Sequence, residues 1–290
     1  MRERETICRG QPIEQWSRDE TDAIRRAFQQ NLDHIEATSQ AANAEGKIFF
    51  AKEHTLWLAD PAAVTQYLST HEYRPSTRLG VQVPSPYSSN PFSSPKNITI
   101  FPDAYLATWR PTFLIRHPAL VFPSYYRALL NLEEEGFAEP DMVEPMLELH
   151  STLLWTRLLF DWFCDRQAQS CSGRHREPIL LDAQDVIHHP AVVQRYCELV
   201  GLSPEKVRFA WQETQARRDG HASAEAVMMV TLDHSTSLLK DKTPAMVDVR
   251  AEKRKWEAEF GGELAARMEK WVENAMPDYN YLYSKRLRGD

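Results

Sequence analysis

The sequence predicts an α/β fold in which a parallel sheet is flanked by helices and the C-terminal half is rich in helix. Three observations carry this expectation. Short apolar runs at 47 to 52, 112 to 116 and 178 to 182 read as strands, each bounded by charge, proline or aspartate. Segments of helical period separate them, an alternation that places helices on both faces of a parallel sheet. From His189 onward nearly every stretch has helical period, including PAVVQRYCELVG, SPEKVRFAWQETQ and WEAEFGGELAARMEKWVENAM.

In chain order, Ser17-Arg18-Asp19-Glu20 opens the first helix. It is an S-x-x-E capping box, whose serine oxygen and Glu side chain satisfy orphan N–H groups of the first turn. Ala23, Ile24, Ala27, Phe28, Leu32 and Ile35 keep the helical period behind it, and Gly46 supplies a stop. KIFFAK at 47 to 52 then forms a short strand ending in charge, and Asp60-Pro61 opens another helix with a cap before a proline. The Pro/Ser-rich stretch at about 71 to 97, with PSPYSSNPFSSP, reads as a mobile loop. Beyond it, strand 112 to 116 feeds a helix from Pro118, one long amphipathic helix is expected from about 141 to 168, and PILLD at 178 to 182 is a buried strand. Large α/β folds reach 290 residues as one unit, so a single domain over 1–290 is the expectation.

Composition narrows the function. With 42% hydrophobic residues the chain can build a sizeable core. Against 41 Asp and Glu stand 34 Lys and Arg, a formal charge of −7, which disfavours broad electrostatic capture of nucleic acid or an anionic membrane. Any anion must be held by a local pocket, and a small-molecule substrate is the expected partner. Cys8, Cys164, Cys171 and Cys197 form no CxxC and have no His-rich ligand spacing, so buried thiols in a reducing compartment are expected and no metal site is. The opening MRERETICRG is charged, without the apolar core of a secretory signal, and no run approaches membrane-span length. The chain reads as cytoplasmic.

The chemistry concentrates in FLIRHPALVFPSYYRALL, residues 113 to 130. Arg116 ends a strand, Pro118 begins a helix and Ser124 follows eight residues after the arginine. In open α/β sheets ligands sit beyond the carboxyl ends of strands, and eight residues return the hydroxyl to roughly the Arg116 side of the helix. The pair could grip one phosphate. On spacing alone a blander account stands first: Arg116 neutralises a carboxylate, and Ser124 is an ordinary helical serine.

R-x-P-x-x-x-x-x-S at a strand-to-helix junction, followed by aromatic residues, resembles the element with which sulfotransferases bind the 3′-phosphate of 3′-phosphoadenosine 5′-phosphosulfate (PAPS). The resemblance implies Arg116 and Ser124 as that pair. Phe49-Phe50-Ala51-Lys52-Glu53-His54 is similar to the family's strand ending in Lys-x-His. Here it implies His54 as the base that deprotonates the acceptor and Lys52 as the contact to the transfer centre. Glu53 stands where cytosolic members commonly have Thr, and a Glu paired with the imidazole would raise its pKa. Without the resemblance, His54 reads as a structural histidine at a strand end. WRPTFLIRHPALVFPSYYRALL and WTRLLFDW resemble fungal members found in secondary-metabolite pathways, and PILLDAQDVIHHPAVVQRYCELVGL resembles the family's strand, acidic turn and following helix.

The chain also departs from the family. Its members open with a strand and a phosphate loop that cradles the 5′-phosphosulfate, and neither occurs in these 290 residues; nor does G-x-x-x-x-G-K-[ST]. Backbone donors aimed at a transferring anion are worth roughly 10²–10³-fold each, so the difference is large. An Arg-Lys-Gly-type third segment is also absent, and Lys240, Lys242, Arg250 and Arg254 are spaced as a solvated helical face. Three readings accommodate this: a segment upstream of the given sequence, a scaffold that binds rather than transfers, or one turned to cofactor-free acid–base chemistry such as dehydration, cyclisation or hydrolysis. A sheet without its inner strand would expose edges that a second copy of the chain could cover.

Other constellations have structural readings. In the HHP at 188 to 190 the histidines point apart and Pro190 starts a helix; Asp182 and Asp185 cap the turn after PILLD; and Trp155, Trp162 and Phe163 form a core stripe. The chain lacks a G-x-S-x-G elbow and H-E-x-x-H. The expectation is a sulfotransferase-like enzyme moving a sulfuryl group from PAPS to a small-molecule hydroxyl.

Overall fold

The computed structural model describes residues 6–8, 10–73, 77–169, 177–212, 223–240, 244 and 246–289. Cys171 and Lys242 lie outside them.

Helix α1, Arg18–Ala44, starts where its capping box places it: Ser17 Oγ accepts from Glu20 N at 3.2 Å and the Glu20 carboxylate accepts from Ser17 N at 2.9 Å. It ends in a Schellman motif, with Lys47 N donating to Ala42 O at 2.8 Å around Gly46, whose φ of +64° suits glycine. The expected strand at 47 to 52 does not form. Residues 47–54 run as irregular chain, with Ile48 60% and Phe50 69% exposed, because no described segment pairs its backbone groups into a ladder. One turn of helix follows, α2 (Thr55–Leu58), and then α3 (Pro61–Thr70), capped by Asp60 accepting from Ala62 N at 3.0 Å.

Among its described residues the 71 to 97 stretch carries only a 3₁₀ turn at Tyr87–Ser89, yet it is tied down. Arg78 donates to the carbonyls of Asn97 and Thr99, and an antiparallel bridge joins Ala59 to Thr99. A single turn, α4 (Asp103–Leu106), leads to β1 (Thr112–Ile115), α5 (Pro118–Glu134) and α6 (Pro140–His150). The one long helix expected from 141 to 168 is two, α6 and α7 (Leu154–Gln169). Ser151, at φ −82° and ψ 45°, leaves the helical region where a Ser-Thr pair offers the backbone local alternatives.

Next come β2 (Ile179–Asp182), α8 (Ala183–His188) and α9 (Pro190–Val200), the last starting at the proline of HHP. SPEKVRFAWQETQ is not a helix in its described part: a 3₁₀ turn at Pro204–Lys206 gives way to chain bridged from Ala210 to Ser237. Finally α10 (Ala224–Asp233), α11 (Val249–Phe260) and α12 (Gly262–Ser284) follow, the last two separated at Gly261, with φ +86°.

The chain divides into two compact units, residues 1–111 with 154–178, and residues 112–153 with 179–290. In the first, Trp155 and Trp162 of α7 are 2% exposed and Phe163 9%, so the aromatic stripe is core. Tyr67 of α3 meets Trp155 edge-on at 5.2 Å, and Trp162 Nε1 donates to Ser94 Oγ at 3.0 Å.

In the second unit, β1 and β2 pair in parallel with Thr112 opposite Ile179 and Ile115 opposite Asp182. Among the described residues the sheet holds these two strands. Phe113 and Ile115 are buried while Leu114 is 64% exposed, so β1 is covered on one face rather than on both as expected. Leu287 N donates to Leu180 O at 2.7 Å, lending β2 one further backbone partner. The core of this unit packs Ala119 and Phe122 of α5 against Trp256 of α11 and Ala265, Met268 and Val272 of α12. Burying a side chain such as Phe122 stabilises by about 1.5–3 kcal/mol. No described helix is long and apolar enough to cross a membrane.

Candidate active site

Two groups of side chains bear on chemistry, one in each unit. In the first unit, Lys52, Glu53 and His54 are exposed on the chain entering α2, and the backbone of His54 caps that turn. Lys52 Nζ lies 2.9 Å from His54 Nε2. An ammonium only donates, so Nε2 is the acceptor, and the ring proton of a neutral His54 sits on Nδ1. The Lys-x-His pair therefore meets without the strand that was expected to align it. Spacing of two residues along irregular chain suffices.

The same unit holds a cavity of about 240 Å³ lined by Asp60, Tyr73, Arg78, Ser94 and Asn97, among others. Its polar groups serve one another. The fully buried Asp60 carboxylate accepts from Ala62 N, Leu79 N at 3.1 Å and Gly80 N at 3.4 Å, with Arg78 Nε 3.6 Å away. Burial pushes the Asp60 carboxyl above its ordinary value, and Arg78 and the three N–H groups oppose that shift. Asn97 spends its amide on Phe101 O and Asp103 Oδ1, both at 2.8 Å. The network fastens the 71 to 97 loop to α3.

In the second unit the carboxyl ends of β1 and β2 lie side by side, since Ile115 and Asp182 are register partners. Arg116 and His117 emerge there ahead of Pro118, the first residue of α5. Arg116 is half-buried, and desolvation lowers its pKa from the usual arginine value. It still carries its charge at neutral pH. Ser124 is the exposed seventh residue of α5, about 9 Å along the axis from Pro118, turned from the Ala119 and Phe122 stripe that packs on α11 and α12. The order strand, arginine, helix, hydroxyl is thus the one the motif requires.

Sequence spacing did not reveal what surrounds that edge. His117 caps α5 with its ring, Nδ1 accepting from Ala119 N at 3.2 Å, and its ring stands edge-on to Tyr279 at 5.0 Å. Tyr279 donates to Asp182 at 3.0 Å, a contact across 97 residues. Asp182 also caps α8 by accepting from Gln184 N at 2.9 Å, and Asp185 takes Arg286 Nε at 2.7 Å. Asp182 thus caps the turn after PILLD as expected, whereas Asp185 lies within α8 and pairs with Arg286 instead. Burial pushes the Asp182 carboxyl above its ordinary value, while the Gln184 and Tyr279 bonds pull it back. Desolvation holds His117 below the usual histidine value. Of the cations weighed for a third donor segment, Lys240, Arg250 and Arg254 are exposed, as on a solvated face.

Comparison with known proteins adds the family. The chain is 36% identical over 286 residues to the sulfotransferase ppzF of Metarhizium majus, an alignment covering 97% of this chain and 82% of that one. With the sulfotransferase ppzF of Metarhizium rileyi it shares 35% over 290 residues, covering 99% and 83%. No family model matches it, and no solved structure does. Identity at this level, sustained along nearly the whole of this chain, is that of a common fold and common ancestry, and the chain belongs to the sulfotransferase family.

Proposed function

We propose that this chain transfers a sulfuryl group from PAPS to a hydroxyl of a small molecule, with His54 as the base, Lys52 as the stabiliser of developing charge, and Arg116 with Ser124 on the 3′-phosphate. The observation that carries the reading is the 2.9 Å contact between Lys52 Nζ and His54 Nε2 on an exposed stretch of chain. It supports the roles in a specific way. Nε2 presents a lone pair, as a base must, and the ammonium holding it is the group that charge stabilisation needs. An acceptor hydroxyl replacing Lys52 at Nε2 would release the ammonium towards the group in flight. PAPS supplies the sulfuryl group, and its bridging S–O bond breaks with the electron pair leaving on adenosine 3′,5′-bisphosphate. His54 receives the proton lost as the new O–S bond forms.

The residues present suit one end of the donor better than the other. Arg116 and Ser124 offer a cation and a hydroxyl for the 3′-phosphate. The first-turn N–H groups of α5 are already used, Ala119 N by His117 Nδ1 and Leu120 N by His117 O, so no residue is assigned to the 5′-phosphosulfate. Calorimetry with adenosine 3′,5′-bisphosphate tests the assignment. Arg116→Ala should weaken binding by roughly tenfold or more, the worth of one charged hydrogen bond. Unchanged affinity would remove Arg116 from the donor site.

A further inference from the structure

We propose that His117 is a further donor to the 3′-phosphate, acting beside Arg116 at the carboxyl end of β1; the inference rests on the sulfotransferase reading above. The ring's tautomer is set by the fold. Nδ1 accepts the Ala119 N–H at 3.2 Å as the cap of α5, so in the neutral ring the proton sits on Nε2. Capping by a ring nitrogen lone pair and burial act in the same direction, since both favour the uncharged imidazole. Nε2–H is therefore a permanent donor, unlike a histidine free to choose its tautomer. Tyr279, edge-on at 5.0 Å and itself anchored on Asp182, limits how far the ring can turn. Among the described residues no hydrogen-bond acceptor is assigned to Nε2, and the residue is only half-buried.

Position completes the argument. His117 follows Arg116 directly, where the parallel strands end and where ligands of open α/β sheets bind. A phosphate held by Arg116 would need donors on more than one side, because its three terminal oxygens outnumber what one guanidinium satisfies. The neutral ring adds a directed N–H without adding a second charge to desolvate.

The experiment compares two ligands by calorimetry, adenosine 3′,5′-bisphosphate and adenosine 5′-phosphate, which lacks the 3′ group. His117→Asn retains a good N-cap and so retains the start of α5. It should weaken the bisphosphate about tenfold, the loss of one hydrogen bond to a charged group, and leave the 5′-phosphate within about twofold. His117→Gln, which carries an amide donor further out, should recover part of the loss. Equal weakening towards both ligands, or no weakening of the bisphosphate, would overturn the role of His117. Failure of Gln to recover affinity, together with a lowered melting temperature in both variants, would show that the ring only supports Tyr279 and the helix start. If the unaltered protein binds both ligands equally and Arg116→Ala changes neither, the 3′-phosphate reading itself falls, and this inference with it.

Discussion

Tyr279→Phe removes one oxygen and keeps the ring against His117 and Tyr283. What it takes away is the 3.0 Å donor to Asp182, a carboxylate that is 1% exposed at the carboxyl end of β2. A hydrogen bond to a buried charged group contributes about 1.5–3 kcal/mol, and one to the protonated carboxyl about 0.5–1.5 kcal/mol. The cost of the substitution should therefore depend on the charge of Asp182. Its folded pKa lies above its ordinary value, chiefly through burial. The folded state thus binds the extra proton in the window above the unfolded value, so the contribution of Asp182 to stability is greatest in acid and declines as pH rises through its folded pKa. Deleting the Tyr279 donor raises that pKa further, so the variant should lose about 2 kcal/mol near pH 7.5 and about 1 kcal/mol near pH 4. Denaturant melts of both proteins at several pH values measure the difference directly. At about 2–4 °C per kcal/mol for a chain of this class, the neutral-pH loss corresponds to roughly 4–8 °C in melting temperature. A penalty that is flat with pH, or larger in acid, would refute the argument that Tyr279 serves the ionised carboxylate.

Two further outcomes test the first unit. His54→Ala should lower sulfuryl transfer by about 10²–10⁴-fold while leaving calorimetric binding of adenosine 3′,5′-bisphosphate unchanged; a comparable loss of binding would argue against a role as base. Asp60→Ala leaves three backbone N–H groups and the Arg78 guanidinium without their carboxylate, and should destabilise by about 3 kcal/mol or more. Hydrogen exchange at the Leu79 and Gly80 amides reads it locally, and protection undiminished there would show that Asp60 does not hold the loop.

How much of this was legible in the sequence depends on the range of the interaction. The capping box at Ser17 and the Asp60-Pro61 and His189-Pro190 helix starts were determined by residues within a few positions of one another. Steric and hydrogen-bond preferences at that range operate before the chain folds. The motif order at Arg116 to Ser124 was readable for the same reason, as was Lys52 with His54. Tertiary structure alone decided the rest. KIFFAK has the composition of a strand, yet a strand exists only where a neighbour completes its hydrogen bonds, and composition cannot supply the neighbour. The long helical pattern after Pro140 breaks at Ser151, and the chain passes from one compact unit to the other just beyond it, between Leu153 and Leu154. Asp182 with Tyr279, and Asp60 with Arg78, join residues that no periodicity relates, because a buried carboxylate selects its donors by proximity in the folded core and not by separation along the chain.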